Sequence, residues 1–290
     1  MGIKIILLII FFAVMAAVGI YSRRHVTSVD GFVLGGRSVG PWLTAFAYGT
    51  SYFSAVVFVG YAGQFGWKYG IASTWIGIGN ALIGSLLAWV VLGRRTKVMT
   101  QHLGSRTMPD FFGERYKSKS LKITASVIVF VFLIPYTASV YNGLSRLFAM
   151  AFNIPYTWCV VTMAAFTALY VILGGYMATA INDFIQGIIM LIGIVAVIAA
   201  VLNGQGGFMN AIAEMAKIPS DVPLTQGQPG AFTSFFGPDP VNLLGVVLLT
   251  SLGTWGLPQM IGKFYAIKDE KSISTGTIIS TIFAIIISGG

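Results

Sequence analysis

The sequence predicts an all-α, polytopic membrane protein, and three observations carry that prediction. Mean hydropathy is +0.82. Charged residues fill only 9% of the 290 positions and hydrophobic ones 56%, whereas soluble domains carry about 25% charged residues. The apolar positions are gathered into runs of bilayer-crossing length, separated by charged or glycine-marked connections. Cys159, the single cysteine, lies in an apolar run and excludes an intramolecular disulfide framework. The net charge of +9 would suit nucleic acid, but no basic residue sits in an amphipathic or aromatic-interleaved patch of the required kind. Membrane lipid, and no nucleic acid, is the expected surrounding.

The first span, 3–21, has Lys4 before it and Arg23-Arg24 behind it. It reads either as a signal peptide, with Ala17-Val18-Gly19 as a cleavage site, or as a retained span; the trailing basic pair favours retention with the N-terminus outside. A linker, 22–37, ends in a Gly35-Gly36-Arg37 turn. The next span, 38–63, has the polar, glycine-marked centre Tyr48-Gly49-Thr50-Ser51-Tyr52-Phe53-Ser54. In hydrocarbon an unwound turn is tolerated only where it is buried in protein or lines a cavity, and its freed carbonyls then suit a cation. Small residues also simply let helices pack closely, so both readings stand at this point.

Span 69–92 carries Asn80 in its middle. The segment 93–122 is the most charged, with Arg94, Arg95, Lys97, Arg106, Arg115, Lys117, Lys119 and Lys122 against Asp110 and Glu114. Within it, Pro109-Asp110-Phe111-Phe112 predicts a short amphipathic helix at the interface. Spans 123–148 and 154–174 follow, and Gly174-Gly175-Tyr176 turns tightly into span 178–202. A glycine-rich loop, 203–239, precedes span 241–262 and an incomplete one, 274–290, whose apolar run 277–288 is too short to cross a bilayer. The whole, 1–290, is expected to be one transmembrane transporter domain and a fragment of a longer protein. Lysine and arginine concentrate in alternate connections, with the segment 93–122 and the region of Lys263, Lys268 and Lys271 on one side, which predicts a cell-membrane protein with its N-terminus outside.

Asp183 is the only acidic residue inside an expected span. An intramembrane carboxylate is expensive unless paired, hydrated or neutral, which marks it as a site candidate. It also lies within about two turns of a helix start, where it would complement the macrodipole.

Gly174-Gly175 followed by Ala178, Asn182-Asp183 and Gln186 resembles the signature of the sodium:solute symporter family. The Gly35-Gly36-Arg37-Ser38 turn, the 49–54 patch, Thr107-Met108-Pro109-Asp110-Phe111, and Gly256-Leu257-Pro258-Gln259 with Lys263 and Lys268-Asp269 fit the same family in the same order. The resemblance implies a leader helix, the first repeat and the start of the second repeat of a five-plus-five inverted-repeat fold of the leucine-transporter type. It implies sodium-coupled uptake of a small organic solute, with the solute at the midplane between broken core helices one and six. Sodium is the only cofactor implied, and the solute expected is carboxylate- or amino-acid-like.

Carried onto this sequence, the resemblance makes Thr50 and Phe53 carbonyl ligands of sodium and Asp183 the coupling carboxylate. Substrate contacts fall to Ser51, Tyr52, Ser54, Asn80, Tyr141, Thr254, Trp255 and Gln259. Each has a plainer reading: Tyr141 and Trp255 as packing or interfacial aromatics, Asn80 as an interhelical hydrogen-bond partner. Proline-type members carry Asp where this chain has Tyr52, and sugar-type members an aromatic gate where it has Thr254. The texture is closest to pantothenate- and monocarboxylate-type members. The alternative is the membrane-embedded sensory domain of a symporter-like receptor kinase. An enzyme is not expected, because the spans hold no His and no paired carboxylates, and His25 and His102 fall in connections.

Overall fold

The computed structural model describes residues 2–54 and 61–289, so residues 55–60 of the expected span 38–63, and Gly290, lie outside the described residues. The described chain is built of helices. A long α1, Gly2–Ser22, is followed by a short α2, Val29–Leu34, whose first turn is capped by Ser28 accepting the Gly31 N–H at 3.0 Å. Gly35, Gly36 and Arg37 then hold φ values of 58°, 66° and 55°. Three consecutive left-handed residues make the reversal that the paired glycines permit. Proline at the first helical position starts α3, Pro41–Tyr52.

Beyond the undescribed residues come α4, Gly63–Tyr69, and α5, Thr74–Gly79. The latter continues without a break through two π-helical stretches, Asn80–Leu87 and Trp89–Gly93, into α6, Arg94–His102. Thr107 caps α7, Met108–Tyr116, accepting the Asp110 N–H at 3.3 Å. Ser118 does the same for Leu121 at the start of α8, Lys119–Phe152. The longest run, α9, is Tyr156–Gly204, kinked at Gly175, where φ 55° and ψ −147° are open to glycine alone. A short α10, Phe208–Ala216, lies in the expected loop 203–239. Asp239 caps α11, Pro240–Leu252, and α12, Pro258–Ala266, follows at a bend of 51°. The last helix, α13, is Glu270–Gly289.

Among the described residues, α1, the run 63–102, α8, α9 and α13 are long and apolar enough to cross a membrane, and the bent pair of α11 and α12 makes a further span when taken together. Isoleucine, valine and phenylalanine stay exposed along them, as at Val127, Phe132, Ile172 and Ile192. Exposed apolar side chains of this kind are unusual on a water-soluble surface and suit helices that cross a membrane.

The core lies where α3, the π-helical stretches, α12 and α13 meet. Tyr48 is fully buried there, with Trp89 edge-on at 5.5 Å and Phe264 at 5.6 Å between ring centres. Glycine permits the approach: a Cβ on Gly49 would strike the Phe283 ring, and one on Gly187 of α9 would lie 2.6 Å from Phe46. The chain leading into α3 and the chain leaving α12 are tied by backbone bonds, Val39 N–H to the Ala266 carbonyl at 3.3 Å and Lys268 N–H to the Val39 carbonyl at 2.9 Å.

Several elements differ from the sequence expectation. Helix continues through Arg94–His102, which were expected to form a connection, and His102 lies in the last turn of α6. The last helix begins at Glu270, so it has 20 residues where the apolar run suggested fewer. Lys97 and Lys263, both grouped with the water-facing basic residues, are buried.

Candidate functional site

Two elements with breaks in regular helix meet in the core. The first is α3, which stops at Tyr52 because Phe53 leaves helical space at φ −89°, ψ 58°. A helix leaves its last four carbonyls without intrahelical partners. Gly49 accepts the Phe53 N–H at 2.8 Å, and among the described residues no backbone N–H reaches the carbonyls of Thr50, Ser51 and Tyr52. The Thr50 hydroxyl is turned back onto its own helix, donating to the Phe46 carbonyl at 2.9 Å, so the Thr50 side chain is not presented as a ligand. The second is the pair α11 and α12, separated by a tight turn at Gly253–Gly256 and by Leu257 in extended conformation.

Side chains from both meet at the π-helical stretch. The Tyr52 hydroxyl lies 3.0 Å from Asn80 Oδ1 and 2.9 Å from the Thr250 carbonyl, its single proton shared between them. Ser251 Oγ donates to the same Asn80 oxygen at 3.2 Å. Two consecutive carbonyls of the stretch serve as acceptors: Ile83 takes the Trp255 indole N–H at 3.1 Å, and Gly84 takes the Tyr48 hydroxyl at 2.9 Å. Thr254 Oγ1 donates to the Ser251 carbonyl at 3.1 Å. Tyr52, Asn80, Thr254 and Trp255 are thus brought together. Their hydrogen bonds are made to one another and to backbone, which closes this junction.

Beside it lies a cleft of about 740 Å³, within the range of small-molecule sites. Ser51, Asp183 and Gln259 line it, while Val129, Phe130 and Leu133 of α8 form an apolar wall. Both polar atoms of the Gln259 amide are buried and unpartnered. Asn182, buried next to Asp183, also leaves its amide unpaired. Tyr141, on α8, is not among the cleft-lining residues. Phe53 is buried with its ring 4.9 Å from that of Tyr52, and Ser54 is the last residue described before 55–60.

Asp183 does not face the cleft as a lone charge. Its Oδ2 lies 3.2 Å from Lys263 Nζ, with the lysine side chain 8% exposed and the carboxylate 22%. The Lys263 ammonium also stands 5.4 Å from the centre of the Tyr176 ring. Nothing in the sequence links this pair: Lys263 stands among residues expected to face water, the two are 80 positions apart, and only packing joins them. Thr50 is close by. A Cβ on Gly187, one turn beyond Asp183, would come within 3.2 Å of the Thr50 methyl, so the missing side chain lets the end of α3 lie against α9.

The far end of the cleft is bordered by Arg106, Thr107 and Pro109. Arg106 pairs with Asp30 at 2.6 Å, and the Arg37 guanidinium donates to the Ser105 carbonyl at 2.6 Å. Burial pushes the Asp110 carboxyl up, but the hydrogen bond and charge of Lys122, with the Arg106 N–H, outweigh it and hold the group below its ordinary value.

The model of the sodium:solute symporter family matches residues 32–290. Sodium/proline symporters of Staphylococcus aureus strains JH9 and NCTC 8325 are each 33% identical over 276 residues, which is 92% of this chain and 51% of theirs. The chain therefore spans about half the length of the curated relatives it matches. Among solved structures, the substrate-bound, outward-open state of a Na+-coupled sialic acid symporter is similar in fold, with a TM-score of 0.72 at 17% identity, over 96% of this chain and 57% of that one.

Proposed function

This chain belongs to the sodium:solute symporter family, and from that premise we propose that it forms the sodium-binding and solute-binding part of a secondary active uptake system. The observation that carries the reading is the meeting of the end of α3 with the bent α11–α12 pair, at Tyr52, Asn80 and Ser251 beside a charged cleft. Irregular backbone at membrane depth is tolerated where it is buried or lines a cavity, and unwound carbonyls suit sodium, a hard cation.

In this reading sodium is held by the carbonyls of Thr50 and Phe53 and steered by Asp183. The solute lies at the midplane between the interruptions, against Ser51, Ser54, Thr254, Trp255 and Gln259, with Tyr52 and Asn80 as the bolt between the two helices. The unpaired Gln259 amide offers two N–H donors and a carbonyl oxygen acceptor to a polar solute. A carboxylate-bearing or amino-acid-like solute fits such a set. The relatives named for proline support the amino-acid side, while Tyr52, where proline-type members carry Asp, points to a different contact at that position.

The test is accumulation of radiolabelled proline, pantothenate and short monocarboxylates by vesicles containing the full-length protein. An inward sodium gradient should drive concentration of one of them, and a sodium ionophore should abolish it. Uptake equally fast with potassium replacing sodium would overturn the reading.

A further inference from the structure

The Asp183–Lys263 contact has features of a displaceable pair. Its 3.2 Å separation is longer than the 2.7–2.9 Å usual for a charge-assisted N–H···O bond. The ammonium also has a second favourable neighbour, the face of Tyr176. Both neighbours lie on α9 just past the Gly175 kink, seven residues or about two turns apart, so they share a helix face. Lys263 itself sits on α12, the second half of an interrupted helix that the 51° bend separates from α11.

We propose that Lys263 is a tethered competitor for the coupling ion: its ammonium neutralises Asp183 when sodium is away, and gives way toward the Tyr176 ring when sodium arrives. The lysine thereby sets how much sodium the site requires. It also ties the position of α12 to the state of Asp183, because the same bond that neutralises the carboxylate holds α12 against α9. A carboxylate only 22% exposed would be unfavourable if left without a positive partner. One positive charge at a time answers that need, either the fixed one or the mobile one. The inference rests on the sodium-coupled reading above, and on Asp183 being part of the ion path.

The experiment is a sodium titration of thermal stability on the purified full-length protein, with choline chloride holding ionic strength constant. Ligand that binds the folded state raises its melting temperature with concentration. Lys263→Gln removes the competitor, and the half-saturating sodium concentration should fall about tenfold or more. Tyr176→Leu removes the second seat while keeping the lysine, and the concentration should rise about threefold. The opposed directions keep the test informative if Lys263→Gln does not accumulate, since Tyr176→Leu retains the ion pair. Curves superimposable on wild type for either variant that folds would overturn the inference while leaving sodium coupling intact. Wild type with no sodium-specific stabilisation would overturn both.

Discussion

Gly84 shows how closely the polar junction is fitted. A Cβ there would overlap the Tyr52 hydroxyl, and behind it lies the bond to Asn80. Gly84→Ala should therefore push Tyr52 off Asn80 and lower stability by about 1–3 kcal/mol, the usual range for overpacking a filled core. Gly245 in α11 has nothing within 4 Å of the same added atom. There Ala should be neutral or stabilising by up to ~1 kcal/mol, as expected for glycine in a helix. Melting temperatures of the two variants check the contrast, and an equal loss in both would contradict it. At this scale the sequence was uneven as a guide. Asn80 and Tyr52 stood out as polar groups in apolar runs. Lys263 did not, because a lysine close to charged neighbours reads as solvated, and its pairing with Asp183 depends on packing between segments 80 positions apart. Tyr176 was legible only as part of a turn.

Breaks in helices were more legible than their lengths. The Gly174-Gly175 pair was expected to turn between spans 154–174 and 178–202; the backbone does break at Gly175, but as a kink within the single helix α9, and Gly-Leu-Pro at 256–258 stands at the bend between α11 and α12. The end of α6 was hidden, since Arg94, Arg95 and Lys97 look like a connection although helix runs through them. The π-helical stretches have no sequence signature of their own; the first coincides with carbonyls that neighbouring side chains claim, as Tyr48 and Trp255 do at Gly84 and Ile83. The buried Lys97 and Lys263 weaken the charge tally by one in each of two connections. The exposed Arg94, Arg95, Arg106, Arg115, Lys117, Lys119 and Lys122 still load the segment 93–122 with positive charge. That bias predicts a cytoplasmic α7. With Cys159 replaced by Ser, Arg115→Cys should resist a membrane-impermeant thiol reagent in intact cells and react after permeabilisation. Labelling from outside would reverse the orientation.

Over the whole molecule, the described helices form a bundle in which the end of α3 and the bent α11–α12 pair are bolted together at Tyr52 and Asn80 while a charged cleft stays open beside them. The hydropathy pattern and five ordered motifs sufficed for the family and fold. The geometry of the cleft was out of reach of sequence, because it depends on how α8 and α12 stand relative to α9. What most directly decides whether this arrangement couples sodium to solute is the sodium dependence of uptake in wild type and Asp183→Asn, compared at matched protein levels because the substitution leaves Lys263 without its carboxylate. If Asp183 helps hold the ion, half-maximal uptake should need roughly tenfold more sodium, the consequence of losing ~1.4 kcal/mol of ion stabilisation. Superimposable sodium curves, with only a lowered melting temperature, would reduce Asp183 to a structural partner of Lys263 and contradict its role in coupling.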